Sequence, residues 1–156
     1  EGAVRVESRG EVLNQFLVEV FGQILKAEAA CLAGKDLSLR ELHLIDAVCR
    51  AVDQGGDNRS TAIAAALGIT AGTLTSAVNL LEKKGYLLRR RDERDKRVVH
   101  LLPTERGRAA DARHRDFHRQ MVAHVLDGLT DEEAECTLRA LGRVAEFFRR
   151  GAPERG

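Results

Sequence analysis

Apolar residues recur at three- and four-residue steps along most of this chain, and the recurrence breaks at a few defined places. Leu13, Phe16, Leu17, Val20, Phe21 and Ile24 share one face of a helix predicted over 11–33, with Gly34 as its stop. Ser38-Leu39-Arg40-Glu41 opens a second helix as a capping box, hydroxyl and carboxylate each taking an orphan backbone N–H. Leu37 and Leu42 occupy the staple positions around it. Leu42, Ile45, Val48 and Cys49 carry the stripe on until DQGGDN, residues 53–58, ends it as a loop. Ser60 or Thr61 is the expected cap of a short helix with Ile63, Ala64 and Leu67, closed by Gly68. Thr70 caps another that runs to Lys84 and closes at Gly85.

Beyond Gly85 the pattern changes. Tyr86-Leu87-Leu88 and Val98-Val99-His100-Leu101-Leu102 read as two strands flanking a charged turn, RRRDERDKR at 89–97. Helical spacing returns at Thr104, predicting a long helix to about Leu126. Thr130-Asp131-Glu132-Glu133 is a second capping box ahead of a stripe of Leu138, Leu141, Val144, Ala145 and Phe148.

Two helices joined by a short Gly-containing turn form a helix-turn-helix, and a hairpin straight after makes it a winged one. The predicted fold is therefore mainly α, an α+β winged helix-turn-helix of about six helices with a two- or three-stranded wing. In its second helix Leu74, Val78 and Leu81 face inward. The opposite face shows Gly72, Thr73, Thr75, Ser76 and Asn79, with almost no charge before Glu82. A helix facing only water would more often carry Glu, Lys and Arg there. Small polar side chains instead permit close approach to another surface, such as base edges in a DNA major groove about 12 Å wide. An arginine on the hairpin then reaches the neighbouring minor groove. On this reading Asp92 holds Arg94 extended and Asp95 braces Arg97. The plain alternative is a solvated charged loop.

Net charge, +1 over 156 residues, hides an asymmetry. Residues 83–119 carry 13 Lys and Arg against 6 Asp and Glu, while the segments on either side are net acidic. Positive charge gathered around the wing points to a polyanion. A hydrophobic share of 44% suffices for one well-buried core. Cys31, Cys49 and Cys136 fit neither a disulfide framework nor paired zinc spacing, and EGAVRVESRG lacks a signal-peptide core, so a cytoplasmic location is expected, with no membrane partner.

Asp92-Glu93-Arg94-Asp95-Lys96-Arg97 resembles the D-x-R-D-x-R wing of the MarR family of bacterial transcription regulators. The likeness continues through ALGITAGTLTSAVNLLEKKGYLLRR before it and HLLPTERGR after it, and spans roughly residues 11–150. ELHLIDAV, GTLTSAVNLLEKKGY, DKRVVHL and FHRQMV are most similar to the FabT subgroup of fatty-acid-biosynthesis repressors. The resemblance implies a homodimer built from helices over 11–33 and 104–150, with a DNA-binding domain over 36–103 and a pseudo-palindromic double-stranded operator. Broad apolar stripes on the terminal helices fit such a dimer. Carried over by position, Gly72, Thr73, Thr75, Ser76 and Asn79 face bases or phosphates, Arg94 is the wing arginine, Asp92 positions it, and Lys96 and Arg97 flank it.

The subgroup likeness further implies an acyl chain, delivered on acyl carrier protein, as corepressor. Phe16, Val20, Ile24, Ile45 and Phe117, with His118 beside them, are candidates to line its pocket; the alternative is that they are only core. Arg113, Arg115 and Arg119 offer a dock for the acidic carrier. A repressor released by a small aromatic ligand, or by cysteine oxidation, is the competing version. No cofactor and no metal are expected. Asp111, His114 and His118 stand at i, i+3 and i+7, but one helical face without a second ligand source is a weak metal site. Cys49 lies on an apolar face and Cys136 among acids, both poor settings for a thiolate. Phosphate loops, nucleophile elbows and carboxylate pairs are missing, so catalysis is not expected. A winged helix that binds only protein would show an apolar or acidic outer face, and this one is neither.

Overall fold

The structure, a computed structural model, describes residues 2–31 and 36–150, with side chains described for 10–31, 36–147, 149 and 150. Among these residues run α1 (Gly2–Cys31), α2 (Leu39–Asp53), α3 (Ser60–Leu67), α4 (Ala71–Lys83), β1 (Leu87–Arg91), β2 (Val99–Pro103), α5 (Glu105–Asp127) and α6 (Asp131–Arg149). The helix expected from residue 11 begins at Gly2 instead, because Arg5, Glu7, Arg9 and Glu11 sustain a helix without marking an apolar stripe. Its expected stop, Gly34, and the side chain of Phe148 lie outside the described residues. Packing divides the chain into two compact units, one ending at Phe117 and one beginning at His118, so the division falls within α5.

Local chemistry sets the element boundaries in the first unit. Ser38 caps α2 through the expected box: its hydroxyl accepts from the Glu41 N–H, and Glu41 Oε2 accepts from the Ser38 N–H at 2.7 Å. The other Glu41 oxygen takes the Lys84 ammonium at 2.7 Å, tying the start of α2 to the end of α4. Thr70 caps α4 by accepting from the Thr73 N–H, and Gly68 closes α3 with φ +64°. Neither Ser60 nor Thr61 caps α3; Arg59 occupies that position without a side-chain bond. Ser60 Oγ donates to the Val99 carbonyl, because docking onto the sheet claims the hydroxyl first.

The hairpin is antiparallel, pairing Leu87 with Pro103 through Arg91 with Val99. Each strand starts one residue later than the apolar pattern marks, and Arg89–Arg91 continue β1, while Tyr86 precedes it and closes the core. A third strand shrinks to one bridge, Arg59 to His100, reinforced by Asn58, which donates Nδ2 to the Leu101 carbonyl at 2.9 Å.

Leu42, Ile45 and Val48 from α2, Ile63 from α3, Leu74, Val78 and Leu81 from α4, and Tyr86, Leu87 and Leu101 from the hairpin form one buried cluster. Truncating a leucine in such a site costs about 2–5 kcal/mol. The start of α5 is locked to this cluster at one point. Tyr86 O accepts from both the N–H and the hydroxyl of Thr104, each at 3.1 Å, and Gly107 packs over that carbonyl so closely that a Cβ would stand 2.2 Å from it.

In the second unit Thr130 and Glu133 form the expected capping box at the start of α6. Leu138, Leu141 and Phe147 are exposed on that helix. In the first unit Val12, Leu13, Phe16, Val18 and Phe21 are exposed on α1. No single helix among the described residues is long and apolar enough to cross a membrane.

Candidate nucleic-acid interface

Helices α3 and α4 meet at 109°, within the range of helix-turn-helix pairs. That angle follows from Gly68, whose left-handed conformation ends α3, and from Thr70, which restarts the chain two residues later. With Leu74, Val78 and Leu81 buried below, helical geometry turns Gly72, Thr73, Thr75, Ser76 and Asn79 outward, and all five are exposed. The Cβ position of Gly72 meets only the Thr70 hydroxyl, at 4.0 Å, so the surface there is low.

Arg89 supplies a feature the sequence pattern did not mark. Its guanidinium donates to Asn79 Oδ1 at 2.7 Å, to the Thr75 carbonyl at 3.2 Å and to the Glu82 carboxylate, whose other oxygen accepts from the Arg89 N–H. One side chain thus fastens the outer face of α4 to the first wing strand. It also occupies the amide oxygen of Asn79, leaving the NH2 group as the outward donor. The available signal was the seven-residue step from Glu82 to Arg89 across a Gly turn.

At the wing tip the acids shape the loop differently from expectation. Asp92 does not hold the Arg94 side chain; its Oδ1 accepts from the backbone N–H of Arg94 at 2.8 Å and of Asp95 at 3.0 Å. The N–H groups of Asp95 and Arg94, with His100 beside them, hold its carboxyl down at about 2. A two-residue return is closed most economically by an Asx turn, and that geometry aims Oδ1 at backbone. Asp92 Oδ2 lies 3.1 Å from His100 Nε2, and His100 Nδ1 meets Asn58 Oδ1 at 2.8 Å, so the tip is chained to the loop before α3. Asp95 does brace Arg97, accepting from its N–H at 3.0 Å and standing 3.5 Å from its Nε. Arg94, Lys96 and Arg97 are exposed, and among the described residues no carboxylate pairs with the Arg94 guanidinium.

The remaining candidates separate. Ile45 is fully buried within the winged-domain core, Val20, Ile24 and Phe117 are half-buried, and Phe16 is 56% exposed. His118, the first residue of the second unit, is half-buried. Arg115 is engaged by Asp111 at 2.7 Å and by Asp53 at 3.4 Å; of the other two arginines of the suggested dock, Arg113 is exposed on the first unit and Arg119 is exposed on the second. Burial, with the Asp111 charge adding to it, pushes the Cys49 thiol up to about 12, while Cys31 and Cys136 are exposed.

Comparison with known proteins agrees with this geometry. The sequence model of the MarR family matches residues 48–99. Among solved structures, Streptococcus pneumoniae FabT in complex with DNA is similar at 34% identity and a TM-score of 0.81, over 90% of this chain and 97% of that one. The Staphylococcus aureus MepR–DNA complex shares the fold, with 21% identity and a TM-score of 0.65 over 85% of this chain and 96% of its own. The HTH-type transcriptional regulator YwhA of Bacillus subtilis, itself uncharacterised, is 31% identical over 72 residues, 46% of this chain. The match spans about half the length of such curated relatives, 52% for YwhA and 53% for YcgE of the same organism. Near-complete coverage of a 34%-identical relative, a family match centred on the helix-turn-helix, and the winged fold itself lead to one conclusion: this chain belongs to the MarR family.

Proposed function

We propose that this chain is a dimeric, sequence-specific repressor that lays α4 in the major groove of a pseudo-palindromic operator and sets its wing in the flanking minor groove. The observation that carries the reading is the outer face of α4: five small or uncharged positions, all exposed, fastened by Arg89 to a hairpin whose tip carries the exposed Arg94, which no carboxylate among the described residues pairs. Thr73, Thr75, Ser76 and the Asn79 amide are the candidate base and phosphate contacts, Arg94 the groove arginine, and Lys96 and Arg97 phosphate partners. Asp92 serves by fixing the loop backbone from which Arg94 projects. The DNA complexes of the FabT and MepR relatives support this assignment of partner. Exposed apolar side chains on α1, and separately on α6, are the surface a second copy would cover, placing two recognition helices about one turn of DNA apart.

Binding to operator fragments selected from random DNA tests the reading. Affinity should fall steeply with salt, and Arg94→Ala should lose about 1–3 kcal/mol. An unchanged isotherm for that variant would remove the wing from the interface.

The likeness to FabT supports fatty-acid biosynthesis genes as the regulated set, with an acyl chain on acyl carrier protein as corepressor favouring the DNA-competent dimer. Titrating acylated and unacylated carrier protein into the same assay separates this from its rival. Equal responses sink the acyl version, and loss of DNA binding on adding a small aromatic ligand supports the other. Relief through oxidation of Cys49 is disfavoured by its buried, protonated thiol.

A further inference from the structure

The outer face of α4 carries four polar side chains, and three of them are hydroxyls. A hydroxyl is both donor and acceptor and turns to suit what it meets, so it separates one base from another poorly. Thr75 and Ser76 are exposed groups of that kind, and the Thr73 hydroxyl lies 2.9 Å from that of Thr70, inside the helix cap. Asn79 is the amide of the set. Gly72, Thr75 and Asn79 follow at i, i+3 and i+7, so the amide stands in line with the low surface over Gly72.

Arg89 decides which way that amide faces. Its guanidinium NH1 lies 2.7 Å from the Asn79 side chain. A guanidinium has five N–H donors and no acceptor, so the atom it meets has to be the carbonyl oxygen; a flipped amide would set N–H against N–H. The guanidinium is itself held from two other sides, by the Thr75 carbonyl at 3.2 Å and by the Glu82 carboxylate. The second Glu82 oxygen takes the Arg89 backbone N–H at 2.9 Å, so strand and side chain are anchored together. Among the described residues Asn79 Nδ2 makes no hydrogen bond, and it is the end of the amide left for DNA.

Base edges in the major groove divide along this line. Guanine presents two acceptors, O6 and N7, whereas adenine sets an N–H donor beside its one acceptor and cytosine offers a donor. An unrestrained asparagine matches adenine by using its oxygen and its nitrogen together. Here a base donor approaching Oδ1 would come alongside the guanidinium N–H, two hydrogens converging on one oxygen. The amide N–H groups meet acceptors without that competition. We infer that Asn79 reads a guanine in each half-site, and that Arg89 is the positioning residue that sets this choice over adenine. The inference rests on the reading of α4 as the groove helix and deepens it.

The test begins with operators selected from random DNA by the parent chain. Each half-site position is then changed to the other three bases, and binding is measured at one fixed salt concentration. The position at which Asn79→Ala levels the preferences is the one Asn79 reads. There the parent should favour guanine over adenine by about tenfold. Arg89→Met keeps the reach of the side chain and removes its donors. It should bind the guanine operator about tenfold more weakly and reverse the preference, so that adenine binds more tightly than guanine. A merely structural tie would weaken both operators alike, and that result overturns the inference. A parent that favours adenine there, or an Asn79→Ala variant that alters no position, overturns it too. The parent's preference and the exposed Asn79→Ala site carry the test if Arg89→Met fails to fold. Enrichment of no sequence at all would instead remove the groove-helix reading itself.

Discussion

Replacing Gly107 by alanine adds one methyl group, and its consequence can be worked out atom by atom. The new Cβ would stand 2.2 Å from the Tyr86 carbonyl oxygen, 3.3 Å from its carbon and 3.6 Å from Pro103 Cβ. Ordinary contact requires about 1 Å more, and neither neighbour is a flexible side-chain end; one is backbone and the other a proline ring. Either α5 lifts, or Tyr86 withdraws from the core. Both movements stretch the two bonds that Thr104 makes to that carbonyl. Overpacking of this kind costs about 1–3 kcal/mol, and weakening a hydrogen bond adds about 1 kcal/mol. Against these stands the better helix propensity of alanine, about 1 kcal/mol. The net expectation is a loss of about 1–3 kcal/mol.

Gly142→Ala in α6 is the matching control, because nothing lies within 4 Å of the added methyl. Within one copy of the chain only propensity acts there, worth up to about 1 kcal/mol in favour of alanine. Urea unfolding followed by far-ultraviolet circular dichroism, at one fixed protein concentration, reads both. If Gly107→Ala proved as stable as the parent, the close approach of α5 to Tyr86 would not exist as described.

Three other substitutions probe separate features. Arg89→Ala removes the fastening between α4 and β1 and should weaken operator binding about tenfold while costing only about 1 kcal/mol in stability; an unaffected operator isotherm would refute the fastening role. For Glu41, burial raises the carboxyl's pKa, but the Lys84 ammonium and the Ser38 N–H outweigh it and leave the folded value below the ordinary 4.5. Its stabilising effect is therefore complete above about pH 4.5 and disappears as pH drops through the lower folded value; Glu41→Gln should flatten that acid limb, and an unaltered pH–stability curve would contradict it. With its thiol pushed up to about 12, Cys49 should ignore alkylating reagents at pH 8 until denaturant is added, which mass spectrometry of the labelled peptides detects.

Much of the fold was legible because its signals are local. Capping boxes at Ser38 and Thr130, Gly68 in a left-handed conformation and the outward face of α4 each depend on residues within four positions of one another. Errors arose where a residue's partner is distant in sequence. Ser60 would serve as a cap in an isolated peptide, yet the Val99 carbonyl, 39 residues on, takes its hydroxyl. Asp92 is a different case: its partners, the Arg94 and Asp95 N–H groups, are local, but a sequence displays charge opposite charge and not the backbone direction on which an Asx turn depends.

Arg89, Asn58 and the His100–Asp92 pair tie the recognition helix, the hairpin and the loop before α3 into a single block. Such a block has little freedom to flex within itself. An effector acting on a relative of this design can change the reach of its reading heads only by swivelling each one whole, like an oar in its lock. Substitutions that retune the response should therefore gather at the pivots around Tyr86, Thr104 and Gly107, while those that change which sequence is read stay on the blade.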